Sequence, residues 1–412
     1  MSAVTPVLSW ARVDSFTGNS AAPALWTDRD CPICGSHRRR TIVELSDFQF
    51  FTDSAAAPKR MTLREVQCRD CFALFKSPGY SAFGFETLFA EAGCSYGTER
   101  ADEQITWLSA RDLLPSGGRV LDVGCYDGRF LARMPATLTR TGVDLDAAAI
   151  ARGRSQFGAS GVELTLGDFE SFEYRGRPDT MTMLHVLEHL PRPLAALRQL
   201  RTLAHADTRL VIEVPVLESA ATNDVNGFLT AQHLTHFSRR SFSNALTRTG
   251  WQPVDAHDAG DYNGRRIVAV PGTAADEVSG DPADVTMLYT YLASWYQALA
   301  EVNRRCARLA GVARCVVWGG GFHTELLYHV TALFRQDPSR EYCVVDSDPL
   351  KQGKSWRGIP VGPSAWLREL DWRGTMLLVS SYGSQEAIVR DALAIGVPAD
   401  RIVRLYDFSR VY

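Results

Sequence analysis

Arg119-Val-Leu-Asp122-Val-Gly124-Cys-Tyr-Asp-Gly128-Arg-Phe-Leu131 is the stretch whose reading decides the fold. Val120, Leu121 and Val123 form the apolar run of a parallel strand covered on both faces. Gly124 and Gly128 carry no Cβ, so the backbone there can turn sharply and approach a ligand closely. The helix that follows points its first N–H groups at whatever occupies the turn. Asp144 lies twenty-two residues after Asp122, in Thr141-Gly-Val-Asp144-Leu-Asp146. A second strand ends there, and an acid at that point can take ribose hydroxyls. Strand, D-x-G-x-x-x-G and an acid at this distance together predict a site for a nucleoside-bearing cofactor.

Working outward, strands and helices alternate. Strands are predicted over Thr139–Asp144, Val162–Leu166, Thr180–His185 and Arg209–Pro215, with helices over Ala147–Phe157 and through Leu203. Such alternation implies a parallel, doubly wound α/β sheet whose ligands sit beyond the carboxyl ends of its strands. Gly124, Asp144, Asp168 and His185 all fall at those ends. Asp261-Tyr-Asn-Gly264 reads as the turn of a hairpin at an antiparallel edge.

On Asp122-Val-Gly-Cys-Tyr-Asp-Gly128, Asp144, Gly167-Asp168-Phe169 and Leu184-His-Val-Leu-Glu-His189, the chain resembles the class I S-adenosylmethionine-dependent methyltransferases. The resemblance implies a Rossmann-like domain over residues 119–270. It assigns the methionine part of the cofactor to Asp122, Gly124, Cys125 and Gly128, and the ribose to Asp144 beside Leu145. Adenine falls to Asp168 and Phe169, with Leu184 and His185 close by. His189 is a candidate catalytic residue.

Thr230-Ala-Gln232-His233-Leu-Thr-His236-Phe-Ser follows the fifth strand. A neutral imidazole there can take a proton from the methyl acceptor, which makes His233 the candidate base and His236 its companion. Two other readings of this pair stay open: a metal pair lacking an evident third ligand, and hydrogen-bonded histidines beside a helix cap.

In the N-terminal module, residues 28–80, Cys31-Pro-Ile-Cys34 and Cys68-Arg-Asp-Cys71 make two knuckles. Four thiolates complete a tetrahedral sulfur site that suits Zn²⁺ and leaves no open position, so the metal is expected to be structural. Short strands are predicted at Thr41–Leu45 and Glu65–Gln67. Arg38-Arg39-Arg40 reads as a solvated run or a phosphate contact. Residues 81–118 form an aromatic connecting segment and a helix over Glu99–Leu114. This segment either folds over the site as a lid, with Tyr96 donating to substrate, or packs the module onto its neighbour.

A polar linker over 271–284 precedes a helix from about Val285 to Leu309, with Leu288, Leu292, Trp295, Leu299 and Val302 on one face. Arg314-Cys-Val-Val-Trp-Gly319-Gly-Gly321-Phe-His323 then repeats the pattern of strand, glycine turn and helix, so residues 285–412 are expected to be a second α/β domain. Its turn can hold a pyrophosphate or be a requirement of the fold alone. This layout resembles the sugar C-methyltransferases of deoxysugar biosynthesis, through both knuckles, the cofactor domain and Val344-Val-Asp346-Ser-Asp348-Pro-Leu-Lys351. The resemblance implies a 4-keto nucleotide sugar as acceptor, a base that forms an enolate, and substrate contacts at Gly319, Gly321, His323 and Lys351. Members of that family have Tyr-His-Glu-His where this chain has Thr230-Ala-Gln-His233, so O-methylation of a sugar stays open.

Composition sets the remaining bounds. The 412 residues are 45% hydrophobic and 22% charged, with formal net charge −3. That balance favours neither nucleic acid nor an anionic membrane, and it counts against an RNA methyltransferase gripping through its knuckles. No apolar run of about 18 residues occurs. Nine cysteines, an odd number with two Cys-x-x-Cys pairs, predict reduced thiols in a cytoplasmic protein.

Overall fold

The computed structural model describes residues 10–13, 25–50, 59–85, 100–168, 172–220, 224–260, 262–276, 278 and 280–408. Tyr96, Phe169 and most of the aromatic connecting segment lie outside the described residues.

Seven strands form the central sheet. Their spatial order is Trp251–Asp258, Gly264–Pro271, Arg209–Pro215, Thr180–Leu184, Arg119–Val123, Thr139–Asp144 and Val162–Leu166. The five strands from Arg209–Pro215 to Val162–Leu166 are parallel; Gly264–Pro271 pairs antiparallel on both sides. The sheet is thus mixed, with its hairpin at one edge as the Asp261–Gly264 turn predicts. Val120, Leu121, Met181, Met183, Leu210, Val211 and Ile212 are all at most 1% exposed. Each contributes about 1.5–3 kcal/mol by leaving water, which is why apolar runs without alternation occupy the middle of a covered sheet. The fourth strand stops at Leu184, one residue short of expectation, because His185 takes the left-handed conformation with φ 55°.

The N-terminal module departs furthest from expectation. Its strands run Arg39–Phe50 and Lys59–Cys68, far longer than the short pieces that residue type suggests. They belong to a four-stranded sheet ordered Thr235–His236, Leu74–Lys76, Lys59–Cys68, Arg39–Phe50. Thr235–His236 is a loop segment of the central domain that pairs antiparallel with Leu74–Phe75. At the other end, the hairpin packs on the C-terminal domain. Phe48 is fully buried and stacks on His329 with ring centroids 5.4 Å apart. Gln49 N donates to Glu325 Oε1 (2.8 Å), and Arg357 Nε donates to Glu325 Oε2 (2.8 Å). This distant packing explains the extra length.

The C-terminal domain holds a six-stranded sheet ordered Ser355–Trp356, Ile359–Pro363, Glu341–Asp346, Arg314–Trp318, Thr375–Val379, Ile402–Val403, parallel except for its first pair. The helix before it spans Pro282–Cys306, starting three residues earlier than predicted. Asp281 caps it by accepting from Ala283 N, and Pro282 at its first position has no N–H to satisfy. Leu288, Leu292, Trp295 and Val302 are buried, as their spacing predicts.

Candidate active site

The glycine turn sits at the carboxyl end of the Arg119–Val123 strand. Gly124, Tyr126 and Gly128 have φ of 77°, 52° and 77°, so left-handed residues alternate along it. Any Cβ on Gly124 would lie 2.3 Å from Val186 Cγ2, and this close approach excludes a larger residue. Tyr126 is the unexpected member, since a residue with a side chain rarely adopts this conformation. Its hydroxyl accepts from Arg152 Nη2 (2.8 Å).

Asp144 braces the turn: Oδ2 accepts from Tyr126 N (2.7 Å) and Oδ1 from Asp146 N (2.8 Å). Each oxygen retains a lone pair for a ribose hydroxyl. Asp122 is buried and accepts from Thr182 Oγ1 (2.6 Å); burial pushes its carboxyl up to about 7. Cys125 is buried beneath the turn, and burial raises its thiol above the ordinary range. Leu145 is partly buried next to Asp144. Gly167 N donates to Asp144 O (3.0 Å), and Asp168, the next residue, is exposed. Leu184 and His185 close the strand that neighbours the turn. The glycine cradle, the ribose acid and the flanking acid suit S-adenosylmethionine.

Beyond Val186 the chain enters a polar cluster. His185 Nε2 donates to Glu213 Oε1 (2.8 Å), and its Nδ1 lies 3.5 Å from Glu188. Burial opposes charge on this imidazole, but Glu188 and Glu213 together hold it up to about 10. Glu213 is fully buried, and it also accepts from Tyr262 and Arg266. Despite burial, these partners hold its carboxyl down to about 2. Arg266 reaches on to Glu103 (2.9 Å).

His189 Nδ1 donates to the Gln232 carbonyl (3.2 Å), and its ring meets His233 edge-on with centroids 4.8 Å apart. Burial lowers both imidazoles; for His233, the neighbouring His189 and His236 add to the effect. Both are neutral near pH 7. His236 stands apart from His233, its ring centroid 6.3 Å away. Its Nε2 donates to Glu65 Oε2 (3.1 Å), and Lys76 pairs with the other oxygen. Glu65 and Lys76 are both 0% exposed, so the N-terminal hairpin inserts an ion pair behind the histidine loop. His236 is a positioning residue there, and the two histidines do not form a metal pair.

His233 and His236 line a small open cleft together with Phe228, Asn263 and Tyr291. Tyr291 comes from the Pro282–Cys306 helix, so the C-terminal part supplies a wall. The Leu187–His189 turn is tied to the histidine loop, because Glu188 O accepts from Leu234 N (2.8 Å).

The four knuckle sulfurs lie within 4.8 Å of one another, and Cys31–Cys71 and Cys34–Cys68 are 3.5 Å apart. Sulfurs about 2.3 Å from one ion stand about 3.8 Å apart, so the cluster fits a tetrahedral metal. In the C-terminal turn, Gly319 has φ 122° and a Cβ there would meet Ser380 O at 2.4 Å. Lys351 Nζ lies 3.3 Å from where a Gly321 Cβ would be and 3.7 Å from Asp346. His323 points inward: Nδ1 bonds Ser380 Oγ (2.9 Å) and Nε2 bonds Tyr406 OH (2.6 Å). Burial lowers it to about 3, so it is a neutral interior group that leaves any phosphate to Lys351 and the backbone.

Sequence reasoning missed Glu213, Glu188, Glu65, Lys76 and Tyr126. Glu213 interrupts an otherwise apolar strand, a signal that was readable, whereas Glu65 sits in a strand already rich in polar residues. Nothing local marks their partners.

Sheet order, with the glycine turn and Asp144 at the strand ends, gives the central domain a Rossmann-like α/β arrangement. Residues 80–256 match the family described as Methyltransferase domain. Among curated relatives, the ubiquinone biosynthesis O-methyltransferase of Xanthomonas axonopodis pv. citri is 32% identical over 114 residues, covering 26% of this chain and 47% of the relative. Its counterpart in Aeromonas salmonicida is 28% identical over 116 residues, covering 26% and 48%. The chain spans about half the length of the curated relatives it matches. Solved structures include mitomycin 7-O-methyltransferase, with TM-score 0.38, 20% identity, and coverage of 45% of this chain and 57% of that one. Magnesium protoporphyrin IX methyltransferase from Synechocystis PCC 6803 matches with TM-score 0.35, 19% identity, and coverage of 46% and 95%. Among the described residues no helix is long and apolar enough to cross a membrane.

Proposed function

We infer that the chain methylates a sugar carried on a nucleotide, at the carbon beside a 4-keto group, with His233 as base. The observation that carries this reading is a neutral imidazole, His233, in the wall of a cleft to which the Pro282–Cys306 helix contributes Tyr291. The acceptor carbon loses its proton to His233 Nε2 or Nδ1, and the enolate attacks the methyl group in line with sulfur. The imidazolium of His185 favours negative charge nearby.

A parallel between the two α/β domains supports the nucleotide. Asp346 accepts from Gly320 N (2.8 Å) and Asp348 N (2.9 Å), just as Asp144 accepts from Tyr126 N and Asp146 N. The C-terminal turn therefore carries the same acid that takes ribose hydroxyls in dinucleotide-type sites. The cysteine cluster would hold one structural Zn²⁺, anchoring the hairpin that presents Glu65 and Lys76. Metal analysis of the purified chain, with Cys68→Ser beside it, tests that part.

O-methylation is the second reading. It is favoured by Thr230 and Gln232, where sugar C-methyltransferases have Tyr and Glu, and by the similarity to O-methyltransferases of ubiquinone biosynthesis. The experiment incubates the enzyme with S-adenosylhomocysteine and a nucleotide-linked 4-keto-6-deoxysugar in D₂O. Deuterium entering the carbon beside the keto group supports C-methylation. Methyl transfer from S-adenosylmethionine without such exchange points to oxygen. Failure of S-adenosylmethionine to bind in a calorimeter ends both readings.

A further inference from the structure

Glu188 is 1% exposed, yet neither carboxylate oxygen has a hydrogen-bond partner. Burying a carboxylate without hydrogen bonds costs several kcal/mol, and here the imidazoles of His185 and His189 stand 3.5 and 3.8 Å from Oε1, too far for good bonds, while Oε2 has none. Its surroundings point to the missing partner. One oxygen of Glu188 and one ring nitrogen each of His189 and His233 lie within 4.8 Å of one another. His189 Nε2 is 3.8 Å from Glu188 Oε1. Two ligands bound at about 2.1 Å stand up to about 4.2 Å apart, so rotations that move these atoms by less than about 1 Å would close the site.

We propose that Glu188, His189 and His233 bind a divalent transition-metal ion of the Zn²⁺, Mn²⁺ or Fe²⁺ kind, with its open positions facing the cleft. Two imidazoles and one carboxylate are a donor set for such ions, and the absence of thiolate separates this site from the cysteine cluster. The second shell is already in place. His189 spends Nδ1–H on the Gln232 carbonyl, which leaves the Nε2 lone pair for the ion. The Glu188 backbone carbonyl holds Leu234 N, which fixes the loop that presents His233. His185 flanks the site: its Nε2–H bonds Glu213, and Nδ1 is 3.5 Å from Glu188.

Two histidines adjacent in sequence motif, His233 and His236, do not make this site, because His236 is committed to Glu65. The third ligand that the motif lacks comes from the Leu187–His189 turn, across the fold. An ion here has open positions for an acceptor oxygen, a keto oxygen or a hydroxyl alike; while it is bound, the lone pair of His233 is spent on it, so the base role given above belongs to the metal-free site. That consequence rests on the methyltransferase reading above, whereas binding of the ion does not.

The test uses the full-length protein, stripped of metal by a chelator and titrated with Co²⁺ alone. Cobalt on the cysteine cluster shows thiolate-to-metal charge transfer; cobalt on two histidines and a carboxylate shows ligand-field bands without it. The wild type is expected to take one equivalent of each kind. His233→Ala and Glu188→Gln should each lose the equivalent without charge transfer and keep the thiolate one. His233 is only partly buried, so His233→Ala stays informative should Glu188→Gln fail to fold. A wild type that takes only thiolate-bound cobalt, or variants that bind as the wild type does, would overturn the proposal. Calorimetry with S-adenosylmethionine, run on the same samples, keeps the two readings apart: cofactor binding without the second cobalt sinks only the metal site.

Discussion

Replacing Gly124 by Ala puts the organising turn under a defined load. Two costs add. The residue sits at φ 77°, where a side chain costs about 1–2 kcal/mol. The new Cβ would also stand 2.3 Å from Val186 Cγ2, more than 1 Å inside ordinary contact. Forcing a packed neighbour aside costs typically about 1–3 kcal/mol. The single substitution should therefore remove about 2–5 kcal/mol from the central domain, measured by urea unfolding. Because Val186 precedes the Leu187–His189 turn, its displacement should also weaken S-adenosylmethionine binding in calorimetry. Val186→Ala in the same chain separates the two costs. The double variant should recover the steric share while keeping the backbone share of about 1–2 kcal/mol. A Gly124→Ala protein within about 0.5 kcal/mol of wild type would refute the geometry of the turn. So would a double variant no more stable than the single one.

Lys76→Met strands the charge of Glu65 in the interior and should cost about 3–5 kcal/mol in urea unfolding, while adding Glu65→Gln should restore much of it. His233→Ala should lower kcat on the correct acceptor by about 10²–10⁴-fold, read as S-adenosylhomocysteine release, with little change in cofactor affinity. Asp224 is buried, and burial pushes its carboxyl up to about 7. A folded value above the unfolded one means the native state holds the proton more tightly. Its contribution to stability thus falls as pH rises from about 4 to about 7 and is flat beyond, by at most about 4 kcal/mol. The stability advantage of Asp224→Asn over wild type should grow across that window; an advantage independent of pH would contradict the assignment.

The C-terminal turn shows how far local pattern reaches. Glycine spacing placed Gly319 and Gly321 at a strand end, and they are there. The resemblance to sugar C-methyltransferases also offered His323 as a substrate contact, and residue type and position say nothing about which way a side chain at the start of a helix points. Packing against Ser380 and Tyr406, which lie 57 and 83 residues further along the chain, turns it inward. The N-terminal hairpin repeats the lesson. Residue type marks only Thr41–Leu45 and Glu65–Gln67, and the rest of the hairpin is strand because the C-terminal domain pairs with it through Gln49, Glu325 and Arg357.

What the sequence determines by itself is whatever a short window encodes. That covers the strand, glycine turn and helix at residues 119–131, the bounds of the neighbouring strands, the acid at Asp144 and the two cysteine knuckles. Apolar runs, the freedom of glycine and ligand spacing are all local properties. The charged interior of the site is different. Glu65 meets His236 across 171 residues, Glu213 meets Tyr262 across 49, and His189 meets the Gln232 carbonyl across 43. Nothing in either stretch of chain names the partner it meets. Only folding removes these groups from water, and burial of a charge or an imidazole without water is what makes its partner matter.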